Sequence, residues 1–374
     1  MSESARSPPP LKSLRENNFD LLRLAAATQV AVLHADKHLH FQGALPQALC
    51  GLLGYFPGVP VFFVISGYLI SLSLEVNPYL RDYFRNRALR IFPGLWVCQL
   101  VTLLTVALFL RPWPPFGARE LAQLAKWFLE GFTFLPVATP PFLSGYGTGG
   151  LNGSLWTISV ELQFYLFLPL LVALLRRLPG RQNLVLCALL LALYPLGAWY
   201  DAHRDAYWSR PGFQMLGLTL LPYLHMFLIG VLLQKNFERI EWLLRGRALP
   251  WLIAYCALAW LLRRLGFSVD SNIPNLLGMA VLGIAVVSAA YTLPYLAERT
   301  LHRNDISYGV YIYHMVVINA FVALGLGGTN GYAMLAVGLS FVLAYLSWRL
   351  VEKPCLARKR HALRAVPDVH AARA

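Results

Sequence analysis

Arg23 and His34 lie eleven residues apart in the run Phe19-Asp-Leu-Leu-Arg-Leu-Ala-Ala-Ala-Thr-Gln-Val-Ala-Val-Leu-His34, which is otherwise largely apolar. At about 100° per residue a helix returns them to within about 20° of one face, about 16 Å apart along its axis. Ionisable groups in such a run are costly in lipid and mark pathways or sites. The separation is comparable to an extended pantetheine arm. A coenzyme A thioester could therefore hold its phosphates near Arg23 and present its acyl group to His34, acting as general base on an acceptor hydroxyl. The competing reading makes Asp20 and Arg23 a structural i, i+3 pair and leaves His34 bonded to a neighbouring helix. His34 and His38, at i and i+4, share a helix face, but no HExxH glutamate or further ligand accompanies them and His38 and His40 read as a solvated cluster near a loop, so no metal site is expected.

Four further groupings carry chemistry. Arg87 and Arg90 stand at i and i+3 in Tyr83-Phe-Arg-Asn-Arg-Ala-Leu-Arg-Ile-Phe-Pro93 and can present two guanidiniums to a phosphate, or simply reflect a cytoplasmic charge bias. Ser66 and Gly67, followed by Tyr68, permit close approach of a helix or of a ligand. Glu161 falls two turns into Leu155-Trp-Thr-Ile-Ser-Val-Glu-Leu-Gln-Phe-Tyr165, where a carboxylate needs a role such as orienting an imidazole or binding a sugar hydroxyl. Ser307, Tyr311 and His314 form a second polar stripe within about 60°, for which interhelical hydrogen bonding is the plainer alternative.

These residues need an apolar frame to position them. Of 374 residues, 57% are hydrophobic and 13% charged, with mean hydropathy +0.53, which excludes an ordinary soluble globule. Ten apolar windows, roughly 19–36, 50–74, 91–110, 155–175, 183–200, 213–234, 249–265, 274–292, 306–325 and 332–350, predict an all-α polytopic membrane bundle of about ten helices. Placing the N-terminus in the cytoplasm puts 23 Lys and Arg inside and 8 outside, so both termini are expected to be cytoplasmic. The same bias accounts for the net charge of +14 without a nucleic-acid partner. Three regions follow: a cytoplasmic tail (1–18) without a signal-peptide pattern, a membrane domain (19–354) and a basic cytoplasmic tail (355–374), too short for a second catalytic domain. The long connection at 111–154 is expected to cover an opening on the outer face. Its aromatics Phe132, Phe134, Phe142 and Tyr146 could stack on sugars or belong to an interfacial belt. Cys50, Cys98, Cys187, Cys256 and Cys355 fit no disulfide or metal spacing and read as buried small hydrophobes.

Together, Phe19-Asp-x-Leu-x-Arg with His34, Phe62-Phe-x-x-Ser-Gly-Tyr68, Arg87-x-x-Arg-Ile-x-Pro93, Leu155-Trp-x-x-x-x-Glu-x-x-Phe-Tyr165 and Ser307-Tyr-Gly-x-Tyr-x-x-His314 resemble the integral membrane acyltransferase family three, over about residues 15–354. Tyr68, where phenylalanine is common, and Met315, where proline is frequent, depart from its pattern. The resemblance implies transfer of an acyl group, usually acetyl, from cytoplasmic acyl-CoA to a carbohydrate or lipid-linked glycan hydroxyl. No permanently bound cofactor is expected; acyl-CoA is a co-substrate, and the bacterial inner membrane is the expected setting. The resemblance assigns transfer to His34 and donor binding to Arg23, Arg87 and Arg90. The sequence adds Glu161 and Asp20 as candidate catalytic carboxylates, Ser66, Gly67 and Tyr68 at the donor site, and Trp156, Tyr165, Ser307, Tyr311 and His314 on the acceptor side or second stripe. Direct attack on the thioester and an acyl-histidine relay both remain open, and a glycolipid or acyl transporter without catalysis is the rival class.

Overall fold

The computed structural model describes residues 17–110, 116–130, 139–208, 210–302 and 304–359; the tails at 1–16 and 360–374, and Phe132 and Phe134, lie outside them. Helix is the regular secondary structure of the described residues, which contain no strand. The main helices are α1 (Phe19–Leu39), α2 (Ala44–Gly54), α3 (Gly58–Val76), α4 (Leu80–Phe109), α5 (Ala118–Glu130), α6 (Trp156–Arg176), α7 (Gln182–Ala202), α8 (Leu224–Lys235), α9 (Ala248–Arg264), α10 (Leu276–Ala290), α11 (Ser307–Ala323) and α12 (Asn330–Ser347), with shorter turns between them. Five helical stretches among the described residues are long and apolar enough to cross a bilayer, and three shorter ones are apolar. Large apolar side chains such as Leu170, Leu249, Ile253 and Met334 are more than half exposed on the outer surface, as lipid contact requires. This is a multi-pass membrane bundle.

Every expected apolar window falls on helix, but two of them are broken. The 50–74 window is interrupted at Tyr55–Pro57, and the 213–234 window divides into Pro211–Gly217 and α8. Each break frees backbone groups that lipid cannot satisfy, and in each case an intact helix supplies a glutamine. Gln29 of α1 donates to the Leu53 carbonyl at 3.2 Å and accepts from the Gly58 N–H at 3.0 Å. Gln163 of α6 donates to the Leu218 carbonyl at 2.8 Å and accepts from the Leu220 N–H at 2.9 Å. The start of α1 is fastened in the same way. Asn18 donates to the Thr292 and Leu293 carbonyls and accepts from the Ala297 N–H.

The centre of the bundle is the crossing of α3 and α8, made possible by two glycines. A Cβ on Gly67 would fall 2.0 Å from the Phe227 carbonyl oxygen, and one on Gly230 would fall 2.1 Å from that of Val64. Backbone therefore meets backbone there, the small-residue packing that membranes favour. Of the cysteines, Cys50 and Cys98 are buried as expected, whereas Cys187 and Cys256 are exposed. They lie on outward faces of α7 and α9, where an apolar thiol can face lipid and needs no protein cover.

Because the atoms opposite Gly230 are backbone, Gly230→Ala should force α3 and α8 apart and sharply lower the monodisperse protein recovered in detergent. Gly51→Ala, on a glycine with open space around it, should leave recovery unchanged; equal recovery of the two variants would show that the crossing tolerates separation.

Candidate active site

Three helix starts and the chain's described end converge on a cavity of about 230 Å³, far larger than a packing defect. The residues along α3 give its direction. At one end Ser73 accepts a hydrogen bond from Arg87 at 3.1 Å; a little further in, Ser66 donates to Glu161 at 3.3 Å; deepest, the Phe62 ring lies 5.4 Å from that of Tyr311. The cavity thus runs from Arg23, Arg87, Arg90 and Lys359 at its mouth, past Ser66, Glu161 and Tyr165, to Phe62, Thr157 and Tyr311.

The four cations at the mouth are not equivalent. Arg90 is held at 2.5 Å by Asp305, with Glu352 at 3.9 Å on its other side. Burial alone would raise the Asp305 carboxyl's pKa, but Arg90, Arg23 and the bonds from Ser307 hold it below its ordinary value. Its second oxygen accepts from the Ser307 N–H and hydroxyl and so secures the start of α11. Arg23 meets Asp305 and Asp20 only at 3.7 and 3.8 Å, beyond hydrogen-bond distance. Arg87 spends one donor on Ser73, has its Nε buried without a partner, and lies 5.7 Å from the centre of the Tyr165 ring. Arg90 is consumed by the scaffold, while Arg23 and Arg87 keep donors for an anion.

The deep end adjoins a histidine pair. His314 is fully buried on α11, and its Nε2 lies 3.2 Å from His34 Nδ1. His34 Nδ1 is also 3.0 Å from the Val30 carbonyl, which can only accept, so hydrogen-bond accounting places the proton on Nδ1. His34 Nε2 then carries the free lone pair, the form a general base needs. His34 does not itself line the cavity. Tyr311, whose hydroxyl accepts from Thr157 at 2.8 Å, stands between, with its ring 5.8 Å from that of His314.

On the far side, residues 139–155 do not cap the bundle but plunge into it. Asn319 of α11 donates to the Gly150 and Leu151 carbonyls and accepts from the Thr148 N–H and hydroxyl, while Asn152 donates to the Ile312 carbonyl. Gly147, at φ +58°, allows this, because a Cβ there would lie 2.5 Å from Asn319 Oδ1. Tyr146 is consequently buried, whereas Phe142 is partly buried and borders an apolar pocket with Phe116.

The sequence-expected residues sort accordingly. Arg23, Arg87, Arg90, Ser66, Glu161, Tyr165, Ser307 and Tyr311 come together at the cavity, and His34 and His314 pair beside it. Gly67 turns to α8 and Tyr68 shares a hydrogen bond with Tyr291, so neither borders the cavity. Trp156 packs on Tyr223. Glu161 accepts from Tyr165 and Ser66 rather than orienting an imidazole, and Asp20 is half exposed beside Arg23, about 21 Å along α1 from His34. Asp305, Glu352, Thr157 and Lys359 were missed. Asp305 carries the one available signal, an acid two residues before the Ser307 motif.

Comparison with known proteins fits this arrangement. The family model described as an acyltransferase domain matches residues 16–349. The chain belongs to this acyltransferase family. It is 34% identical to nodulation protein 10 of Rhizobium leguminosarum bv. viciae over 353 residues, covering 91% of this chain and 93% of that protein. It is 28% identical to an O-acetyl transferase of Shigella phage Sf6 over 354 residues, 92% of this chain and 97% of that one. A putative peptidoglycan O-acetyltransferase of Bacillus subtilis is 25% identical over 80% of this chain, which spans 50% of that longer protein. No solved structure matches. The family membership and these relatives make the protein an O-acetyltransferase rather than a transporter without catalysis.

Removing Asp305 leaves a buried guanidinium without its main partner, so Asp305→Asn should cost about 3–5 kcal/mol and show as lost thermal stability. Arg87→Gln should fold normally and weaken donor binding. Thermal melts of both proteins in one detergent separate the two roles, and a stable Asp305→Asn protein would contradict the division.

Proposed function

We propose that this enzyme takes an acetyl group from acetyl-CoA on the cytoplasmic side of a bacterial inner membrane and places it on a hydroxyl of a carbohydrate or lipid-linked glycan destined for the cell surface. One observation carries the reading: a single cavity leads from cations with spare donors to the partition beside a histidine whose Nε2 is free. The donor's phosphates suit Arg23 and Arg87, whose charges are only loosely matched by protein carboxylates. Its pantetheine arm suits the middle of the cavity, with Ser66, Glu161 and Tyr165 as polar walls. The thioester then reaches Tyr311, one side-chain layer from His34.

In this reading the acceptor hydroxyl attacks the thioester carbonyl while His34 Nε2 takes its proton. The tetrahedral intermediate collapses with cleavage of the carbon–sulfur bond, and the leaving thiolate receives that proton from the imidazolium. The Val30 carbonyl and His314 hold the ring so that Nε2, not Nδ1, meets the substrate. The loop at 139–155 is tied to α11 at Ile312 and Asn319, on either side of His314, which supports an acceptor approaching from the loop's face. The names of the relatives, an O-acetyl transferase and a peptidoglycan O-acetyltransferase, support a glycan acceptor.

The test is free CoA release from acetyl-CoA by purified protein in nanodiscs, with host cell-envelope glycan extract as acceptor. His34→Gln should lower extract-dependent release by about 10²–10⁴-fold, the usual contribution of a general base, at unchanged protein yield. Full activity in that variant would remove His34 from the reaction.

A further inference from the structure

The last described turn of the chain reaches the mouth of the cavity. After α12 the helix widens into a π turn over Trp348–Glu352, continues as Lys353–Leu356 and is extended by hydrogen bonds from the Ala357, Arg358 and Lys359 N–H groups to carbonyls three or four residues earlier. Such π turns redirect a helix and are frequent at functional sites. This one is pinned from both sides: Trp348 Nε1 donates to Asn304 Oδ1 at 3.1 Å, and the buried Glu352 accepts from Ser347 while facing Arg90. The effect is to swing Lys359 over the opening, where its side chain lines the cavity with Arg23, Arg87 and Arg90.

Lys359 has no hydrogen bond or ion pair from its ammonium to any described residue, although three carboxylates, Asp20, Asp305 and Glu352, lie beside the neighbouring arginines. Those acids are engaged with Arg23 and Arg90. Burial, together with the guanidiniums of Arg90, Arg87 and Arg23, pulls the Lys359 ammonium down to about 7. The carboxylates at the mouth are matched with Arg23 and Arg90, whereas Arg87 and Lys359 form no ion pair with a described carboxylate, and a multiply charged phosphate group would supply the anion they lack.

We infer that Lys359, carried over the cavity mouth by the π turn, is a donor-binding residue that closes a three-cation clamp with Arg23 and Arg87 on phosphate groups of a nucleotide thioester. This rests on the acyl-CoA reading above and adds to it a residue outside the arginine motifs. It also gives the end of the membrane domain a role: the turn after α12 positions one side of the donor site.

The test compares the full-length wild type with Lys359→Gln and Lys359→Arg in nanodiscs, with Arg358→Gln as the exposed neighbour. Steady-state CoA release is measured with acetyl-CoA and with S-acetyl-pantetheine, which lacks the nucleotide phosphates. Lys359→Gln should raise KM for acetyl-CoA about tenfold with kcat little changed, the value of one charge-assisted hydrogen bond. Lys359→Arg should restore most of it, Arg358→Gln should match wild type, and KM for S-acetyl-pantetheine should be the same in all four. An unchanged KM in Lys359→Gln, while the wild type turns over acetyl-CoA, overturns the inference and leaves the functional reading intact. If Lys359→Gln alters only the dependence of turnover on anionic lipid, the lysine holds a lipid phosphate instead and the donor assignment is overturned. Wild-type protein that neither consumes acetyl-CoA nor binds CoA by calorimetry overturns both.

Discussion

Inside a bilayer each backbone N–H and carbonyl must find a partner within the protein, and the architecture around this site depends on how that demand is met where helices break. Three amide side chains meet it. Gln29 bridges the gap before α3, Gln163 bridges the gap before α8, and Asn319 receives the loop that dips between the helices. Each amide has a donor and an acceptor on one flat group, which suits a stretch of chain with both kinds of orphan. Without these bridges the breaks could not lie at membrane depth, α3 could not start halfway through the bundle, and no cavity would open between α1, α3, α6 and α11.

The same scarcity of water makes the charges at the mouth selective. Asp305 sits where α1, α4 and α11 meet and satisfies Arg90 with one oxygen and the start of α11 with the other. One carboxylate therefore decides which arginine is structural and which are available. Two guanidiniums that sequence spacing treats as twins, Arg87 and Arg90, acquire different roles because only one of them points at Asp305. At the other end, the Val30 carbonyl and His314 fix the orientation and tautomer of His34. The fold thus places a cation-lined mouth at one end of the cavity and a histidine pair beside the other, behind Tyr311.

Much of this was legible in the residues. Composition and window length gave the bundle, because lipid imposes a length and polarity that no other environment demands. The Arg23–His34 stripe was legible because a helix converts spacing directly into direction. The pairing of His34 with His314 was not, since the two lie 280 residues apart and only packing shows which faces meet. The helix breaks were hidden because their neighbours are apolar, so a hydropathy window reads across them; Gln29 and Gln163 were the visible clue, polar residues with no stated purpose in apolar runs. Gly67 was rightly singled out for close approach, but spacing could not tell whether a ligand or α8 would take the space. Lys359 was lost among the other basic residues of the C-terminal segment.

The proposed reading, in which the donor enters at the basic mouth, requires a sided reaction. The most direct measurement is thioester consumption in sealed membrane vesicles of known orientation, with acetyl-CoA supplied only in the external solution. Consumption should occur when the face carrying Arg87 and Lys359 is turned outward and be absent when the face of the 139–155 loop is outward. Consumption from the loop face alone would place the donor on the wrong side of His34 and contradict the arrangement described here.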